Sequence, residues 1–243
     1  MMRGLFITGT DTGVGKTVVT CAIAAALRER GMRVAVYKPV ETGCSVRDGR
    51  RIGEDCQKLA SAAGGGQSAE DVVSYLLLEP AAPLVAAQAE NVTIDPARLT
   101  QDFARMASSA DFTLVESAGG LLVPITARYS YRDLARELGL PLLCVVGSRL
   151  GCINHALLTL EAAQAAGIAV AGYVMNELPG ITDDSLAART NGDVLRAVSR
   201  ARPLGAFPAV ADAAPAELAR LAREHLDLET IVRCSREVAA PPC

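Results

Sequence analysis

The sequence predicts an α/β fold, one mostly parallel sheet with helices on both faces. Two observations predict it. Short apolar runs, at Leu5 to Ile7, Phe112 to Val115, Pro141 to Val146 and Ile168 to Met175, alternate with stretches of helical character. That is the pattern of a parallel sheet buried on both sides. The first run also leads directly into Gly9-Thr10-Asp11-Thr12-Gly13-Val14-Gly15-Lys16-Thr17, a Gly-rich segment that opens a helix. Composition agrees. The chain has 243 residues, half of them hydrophobic and 21% charged, which suits one α/β domain with a large core and argues against wholesale disorder. Residues 1–243 are therefore expected to form a single domain, with 239–243 as a tail.

The elements follow in order. Leu5 to Ile7 is the first strand and Val18 to Arg30 the first helix, with Gly31 placed to end it. Arg33 to Lys38 is a second strand, expected to stop at Pro39. Ile52 to Ala63 reads as a helix halted by Gly64-Gly65-Gly66. Asp95-Pro96 has the form of an N-cap followed by proline in the first turn, and Leu99, Phe103 and Met106 then recur at a helical period. Beyond the Phe112 strand, helices are expected over Tyr131 to Leu138 and Ile153 to Ala166. After Asp183 come a helix to about Ala201, a short strand near Leu204 to Phe207 and C-terminal helices. Aromatic residues are 4% of the chain and Trp is missing, so the core has to be built from Ala, Val, Leu and Ile.

The Gly-rich segment has a definite chemistry. Strand, glycine loop, Gly-Lys-Thr and helix make up a phosphate-binding loop, so the fold is expected to be like that of the P-loop NTPases. The helix start offers unpaired N–H groups and the positive end of the helix dipole to a polyphosphate. Lys16 can reach the β- and γ-phosphates, and the Thr17 hydroxyl can ligate Mg²⁺. The spacing departs from the standard one: Thr10 stands where a glycine is usual, and Gly9 comes one residue early.

Charge and cysteine usage exclude other classes. The formal net charge is −3 and the pI about 5.5, whereas general nucleic-acid binding needs a basic face. The seven cysteines include no Cys-x-x-Cys pair and do not form an even set, so a disulfide framework is not expected, and Cys21 and Cys144 lie in apolar runs as small core residues. No apolar run approaches the ~20 residues of a membrane span. Met1-Met2-Arg3-Gly4 runs straight into the first strand without the pattern of a signal peptide. A cytoplasmic setting with no membrane partner is the expectation.

In an open parallel sheet, ligands bind outside the carboxyl ends of the strands. Those ends are polar here: Lys38 to Gly43, Glu116 to Gly120, Gly147 to His155, and Asn176-Glu177. Glu116 stands where P-loop enzymes place an acidic Mg²⁺ ligand, with a helix-capping or salt-bridged glutamate as the alternative. Lys38 by itself reads equally as a solvated strand-end lysine. Asp55 begins a helix and has an N-cap or first-turn role by default. Cys152-x-x-His155 could hint at a metal, but the chain has only two histidines and no evident further ligands.

Four ordered segments together resemble the dethiobiotin synthetase family: Thr8-Gly9-Thr10-Asp11-Thr12-x-Val14-Gly15-Lys16-Thr17; Tyr37-Lys38-Pro39-Val40 with Thr42-Gly43; Val115-Glu116-x-Ala118-Gly119-Gly120; and Leu150-Gly151-Cys152-Ile153-Asn154-His155. The resemblance covers Phe6 to about Val210, and the early glycine of the loop matches the family as well. It implies ATP- and Mg²⁺-dependent closure of a cyclic urea from 7,8-diaminononanoate and CO₂, through a carbamate and a carbamic–phosphoric anhydride. It implies that Thr12, Gly13, Val14, Gly15, Lys16 and Thr17 hold the phosphates, and that Thr17, Asp55 and Glu116 hold the metal. Lys16 and Lys38 would be catalytic. Ser117, Ala118, Gly119, Asn176, Phe207, Pro208 and Ala209 would lie around the nucleotide. Thr42 would be on the substrate side. Gly151, Cys152, Ile153 and Asn154 would meet the carboxylate end of the substrate from the neighbouring subunit of a homodimer. The chain departs from the family pattern at Gly13 (often Glu), Ser117 (usually Gly), Arg149 (Lys in some members) and Ala209, and from Val210 onward it matches loosely.

Two other classes use such a loop. Glutamine-dependent amidating ligases need a further domain with a cysteine nucleophile, for which this length leaves little room. Partitioning-type ATPases, whose nucleotide state switches binding to DNA or membrane, carry a signature lysine where Asp11 stands; the acidic pI and the lack of a clearly basic amphipathic C-terminal helix also count against that class.

Overall fold

A computed structural model of the chain describes residues 2–180, 186–235 and 237–238. Strand β1 (Met2–Gly9) enters the phosphate loop, and α1 (Lys16–Glu29) leaves it. Then come β2 (Val34–Thr42), a hairpin of β3 (Ser45–Arg47) and β4 (Arg50–Ile52), α2 (Glu54–Ala63) and β5 (Val73–Leu77). Helices α3 (Pro83–Ala89) and α4 (Pro96–Ala107) precede β6 (Phe112–Gly120), the short pair β7 (Pro124–Thr126) and β8 (Tyr129–Ser130), and α5 (Tyr131–Leu138). The chain continues through β9 (Leu142–Gly147), α6 (Cys152–Ala165), β10 (Val170–Asn176), α7 (Leu186–Val198) and β11 (Pro203–Phe207). It closes with α8 (Pro215–His225), α9 (Leu228–Cys234) and β12 (Glu237–Val238).

Seven strands form one parallel sheet in the order β11-β10-β9-β1-β6-β2-β5, and β12 pairs antiparallel with Met2 and Arg3. The expected α/β class is thus what the chain adopts. Side-chain alternation divides the core. Leu5 and Ile7 of β1, with Phe112 and Leu114 of β6, face α1, α2, α8 and α9. Phe6, Val115 and the alternate residues of β9 face α3, α4, α5, α6 and α7. Helix α1 packs between the sheet and two other helices, and its turns from Ala22 to Leu27 are fully buried, so four of those six positions are alanine. Strand β9 is buried along its whole length, as a strand covered on both faces must be.

Helix ends follow local chemistry. Asp95 Oδ1 accepts from the Ala97 N–H (2.9 Å) with Pro96 in the first turn, as expected. Ser130 and Asp133 form a reciprocal capping box that starts α5. Gly64 ends α2 with φ +64°.

The second strand departs from expectation, because β2 runs through Pro39 to Thr42. Its ladder with β6 ends at Tyr37↔Val115, while its pairing with β5 continues from Lys38 to Thr42. Peptide groups alternate sides along a strand, so the missing N–H of Pro39 falls on the side where the ladder has already ended. Strand β6 likewise continues past Val115, and Glu116 lies within it. The expected helix after Asp183 is α7 from Leu186; its earlier residues, and the tail at 239–243, lie outside the described residues. Among the described residues, no helix is long and apolar enough to cross a membrane.

Candidate active site

The carboxyl ends of β1, β2, β6 and β10 meet at the phosphate loop. Gly15 caps α1 with φ +85°, a left-handed conformation that glycine adopts without strain, and the helix has no side-chain cap. The first N–H groups of α1 therefore remain directed at the loop's interior. A Cβ on Gly15 would lie 2.1 Å from Asn176 Nδ2, so glycine is also the only residue that fits. Asn176 Nδ2 donates to the Val14 carbonyl (3.0 Å) and fixes the loop from the end of β10. Its Oδ1 is buried and has no hydrogen-bond partner among the described residues. Lys16 Nζ lies across the loop and donates to the Asp11 carbonyl (3.0 Å). Burial lowers the pKa of the Lys16 ammonium, and the Glu116 carboxylate opposes that shift. Arg149 pairs with the Asp11 side chain and ties the loop to the connection between β9 and α6.

Beneath the loop is a compact group of charges. Glu116 is fully buried. Its Oε1 accepts from Thr17 Oγ1 (2.8 Å) and Lys38 Nζ (3.1 Å), and its Oε2 accepts from Thr20 Oγ1 (2.7 Å). Lys38 also forms an ion pair with Asp55, whose side chain is partly open to solvent. Burial by itself would lower the Lys38 pKa, but Glu116 and Asp55 outweigh it and raise the value above that of an ordinary lysine. Burial would likewise raise Asp55, but the Lys38 ammonium and the Thr17 hydroxyl hold its carboxyl below the ordinary range. One hydroxyl and two carboxylates at the end of a phosphate loop are hard oxygen donors. They are too few for a complete cage, which fits Mg²⁺, an ion that keeps water and phosphate oxygens in its shell.

These groups open into a cleft of about 610 Å³. Of the residues singled out from the sequence, Thr12, Gly13, Gly15, Lys16, Thr17, Lys38, Thr42, Asp55, Ala118, Gly119 and Asn176 line it. Val14 is buried and offers its carbonyl to Asn176. Ser117 is buried below the surface, its hydroxyl donating to the Gly119 carbonyl (3.0 Å) and hydrogen-bonded with the Thr8 hydroxyl (3.2 Å), and so braces the turn that presents Ala118 and Gly119. Two sets lie away from the cleft lining. Phe207 has its ring in the core, with Pro208 and the exposed Ala209 following. Gly151 and Asn154 are exposed at the start of α6, beside Leu150 at 82% exposure, while Cys152 is buried and Ile153 partly so.

Sequence reading passed over Thr20, Glu41 and the wall from Pro80 to Pro83. Thr20 lies one helical turn after Lys16, a spacing that would have placed it on the same face. Glu41 lies inside a strand-end segment already marked as polar. The Pro80–Pro83 wall carries no charged group.

Residues 3–217 match the protein family described as an AAA domain. The chain is 43% identical over 217 residues to the ATP-dependent dethiobiotin synthetase of Aromatoleum aromaticum, a match that covers 89% of this chain and 95% of that protein. It is 36% identical over 239 residues to the ATP-dependent dethiobiotin synthetase of Thermodesulfovibrio yellowstonii, covering 96% and 99%. Among solved structures it is similar to the septum site-determining protein MinD complexed with Mg-ADP from Pyrococcus horikoshii, with a TM-score of 0.57 at 18% identity over 97% of this chain and 95% of that one. At that identity the likeness shows the fold alone.

Proposed function

Because the chain belongs to the ATP-dependent dethiobiotin synthetase family, we propose that the cleft below the phosphate loop is where its urea ring is closed. The protein is a ligase that converts 7,8-diaminononanoate, CO₂ and ATP into dethiobiotin, ADP and phosphate. One amine of the substrate captures CO₂ as a carbamate. A carbamate oxygen attacks the γ-phosphorus and displaces ADP, giving a carbamic–phosphoric anhydride. The second amine attacks the carbonyl carbon and loses a proton, and the C–O bond to the bridging oxygen breaks, so that phosphate leaves with that oxygen.

The observation that carries the assignment of roles is the position of Lys38, bridging Asp55 and Glu116 at the end of the phosphate loop. Phosphoryl transfer requires positioning and charge neutralisation more than covalent catalysis. Lys16 turns from the Asp11 carbonyl to the β- and γ-phosphates. Lys38 places positive charge beside the carbamate and the phosphoryl group in transit. The N–H groups from Gly13 to Thr17 receive phosphate oxygens, with Thr12 and the Ala118–Gly119 turn closing the other side. Asn176 offers its free Oδ1 to the nucleotide base, near the Phe207–Ala209 turn. Thr42 lies on the substrate side. Thr17, Asp55 and Glu116 would hold Mg²⁺, which would supply positive charge to offset that of the phosphates. The protein works as a homodimer in the cytoplasm, and Gly151 to Asn154 of one subunit complete the substrate site of the other. The exposure of Asn154 and Leu150, away from their own cleft, supports that arrangement.

Oxygen labelling tests the chemical order. With C¹⁸O₂ and reaction times shorter than exchange with water, one labelled oxygen is expected in the released phosphate. Unlabelled phosphate would overturn the anhydride route.

A further inference from the structure

Glu41 has no part in the chemistry above, yet it is a carboxylate buried in the wall of the same cleft, 6% exposed. Strand β2 places it three residues after Lys38 and next to Thr42. Both of its oxygens are directed at the start of α2. Oε1 accepts from the Asp55 N–H (3.0 Å) and Oε2 from the Cys56 N–H (2.9 Å). Helices usually satisfy such first-turn donors with the side chain of their own N-cap residue. Here the N-cap is Gly53, which has none. A neighbouring strand supplies the cap instead and places a negative group at the positive end of the helix. The fit is close: a Cβ on Gly53 would lie 2.6 Å from Glu41 Oε2.

The residue clamped in this way is Asp55. Glu41 fixes its backbone, while its side chain pairs with Lys38. Asp55 differs from Glu116 in its support. Glu116 sits inside a central strand, whereas Asp55 is in the first turn of a short helix that follows a hairpin. Its position depends on whatever holds that turn.

We propose that Glu41 is a positioning residue that clamps the first turn of α2, holds the Asp55 carboxylate at the Lys38–Glu116 cluster, and so sets the affinity of the site for a divalent cation. This inference rests on the reading of Asp55 as a metal ligand. Glu41 itself touches neither nucleotide nor cation.

The test compares wild type with E41A, E41Q and D55N. Free Mn²⁺ is measured by electron paramagnetic resonance in the presence of enzyme and ADP, alongside metal-free ADP affinity, thermal unfolding and the KM for the diamine. E41A is expected to weaken Mn²⁺ binding roughly tenfold or more, as loss of an outer-shell partner does. E41Q, which keeps one acceptor oxygen, falls between E41A and wild type, and it carries the test should E41A fail to fold. Metal-free ADP affinity and the diamine KM stay near wild type in both. If E41A and E41Q bind Mn²⁺ as wild type does while D55N does not, the clamp is overturned and the ligand reading stands. If D55N binds Mn²⁺ normally, the ligand reading falls and the clamp with it. A raised diamine KM with unchanged Mn²⁺ affinity would make Glu41 a substrate contact and overturn the clamp.

Discussion

Lys38 shows how the site is balanced at the scale of single residues. Its ammonium group lies between Asp55 and the fully buried Glu116, so removing it leaves a buried carboxylate beside a second one without the cation that pairs with both. Breaking a buried pair in this way costs about 3 kcal/mol at the low end of the usual range, and the partial exposure of Asp55 favours that end. K38M is therefore expected to unfold at clearly lower denaturant concentration than wild type in metal-free buffer, with Mg²⁺ narrowing the gap because the ion restores positive charge. Equal stability without metal would contradict the described cluster. Lys16 is different, since its ammonium forms no ion pair among the described residues and donates to a carbonyl of its own loop. K16A is expected to retain the wild-type unfolding midpoint and to lose roughly 10²- to 10³-fold in turnover, the scale for removing one transition-state partner. Near-normal turnover in K16A would remove the loop from the chemistry. Both lysines were visible in the sequence, but for different reasons. Lys16 follows from a local motif. Lys38 alone reads as a solvated strand end, and only the fold brings Asp55 and Glu116 to it from distant segments.

Among the elements, strands and helices with strong local signals were legible, and those held by long-range partners were not. The Asp95 cap and the apolar stripe of α4 are written within a dozen residues, and D95A is expected to cost about 1 kcal/mol in equilibrium unfolding. Strand β5, by contrast, lies at the sheet edge with only partial burial, and α3 and the two hairpins are too short to show a period. The extension of β2 through Pro39 depends on where its ladder with β6 ends, which no local pattern records. The starts of β2 and β6 are tied by Arg33 and Asp111. The Arg33 side chain and N–H donate to the Asp111 carboxylate, whose pKa is lowered to about 2. A lowered folded pKa means that the contribution is complete above the unfolded value, about 3.9, and fades as pH falls toward the folded one. D111N should thus be less stable than wild type at neutral pH, with the difference shrinking between pH 4 and 2. A difference that grew on acidification would reverse the assigned sign.

At the scale of the whole molecule, the proposed homodimer has a direct test. Leu150 and Asn154 are exposed and do not line the cleft of their own chain, so a shared site predicts complementation between subunits. Co-expressed K16A and N154A chains should recover activity that neither homodimer has. A mixed dimer contains one wild-type loop facing one wild-type Asn154, and random pairing gives about a quarter of wild-type activity. No recovery in isolated mixed dimers would place the substrate segment in the same chain as the loop. Fold likeness does not decide function here, because the chain shares its architecture with the septum site-determining protein MinD of Pyrococcus horikoshii at 18% identity. The relatives at 36–43% identity carry the function, and the chemistry of the cleft is consistent with it. The most direct measurement is therefore product formation. The purified protein is incubated with ATP, Mg²⁺, bicarbonate and 7,8-diaminononanoate, with each omitted in turn, and the cyclic urea is sought by mass spectrometry. Dethiobiotin that appears only when all four are present, and disappears in K16A, is the predicted result. ATP hydrolysis that proceeds without the diamine and yields no urea would contradict the account.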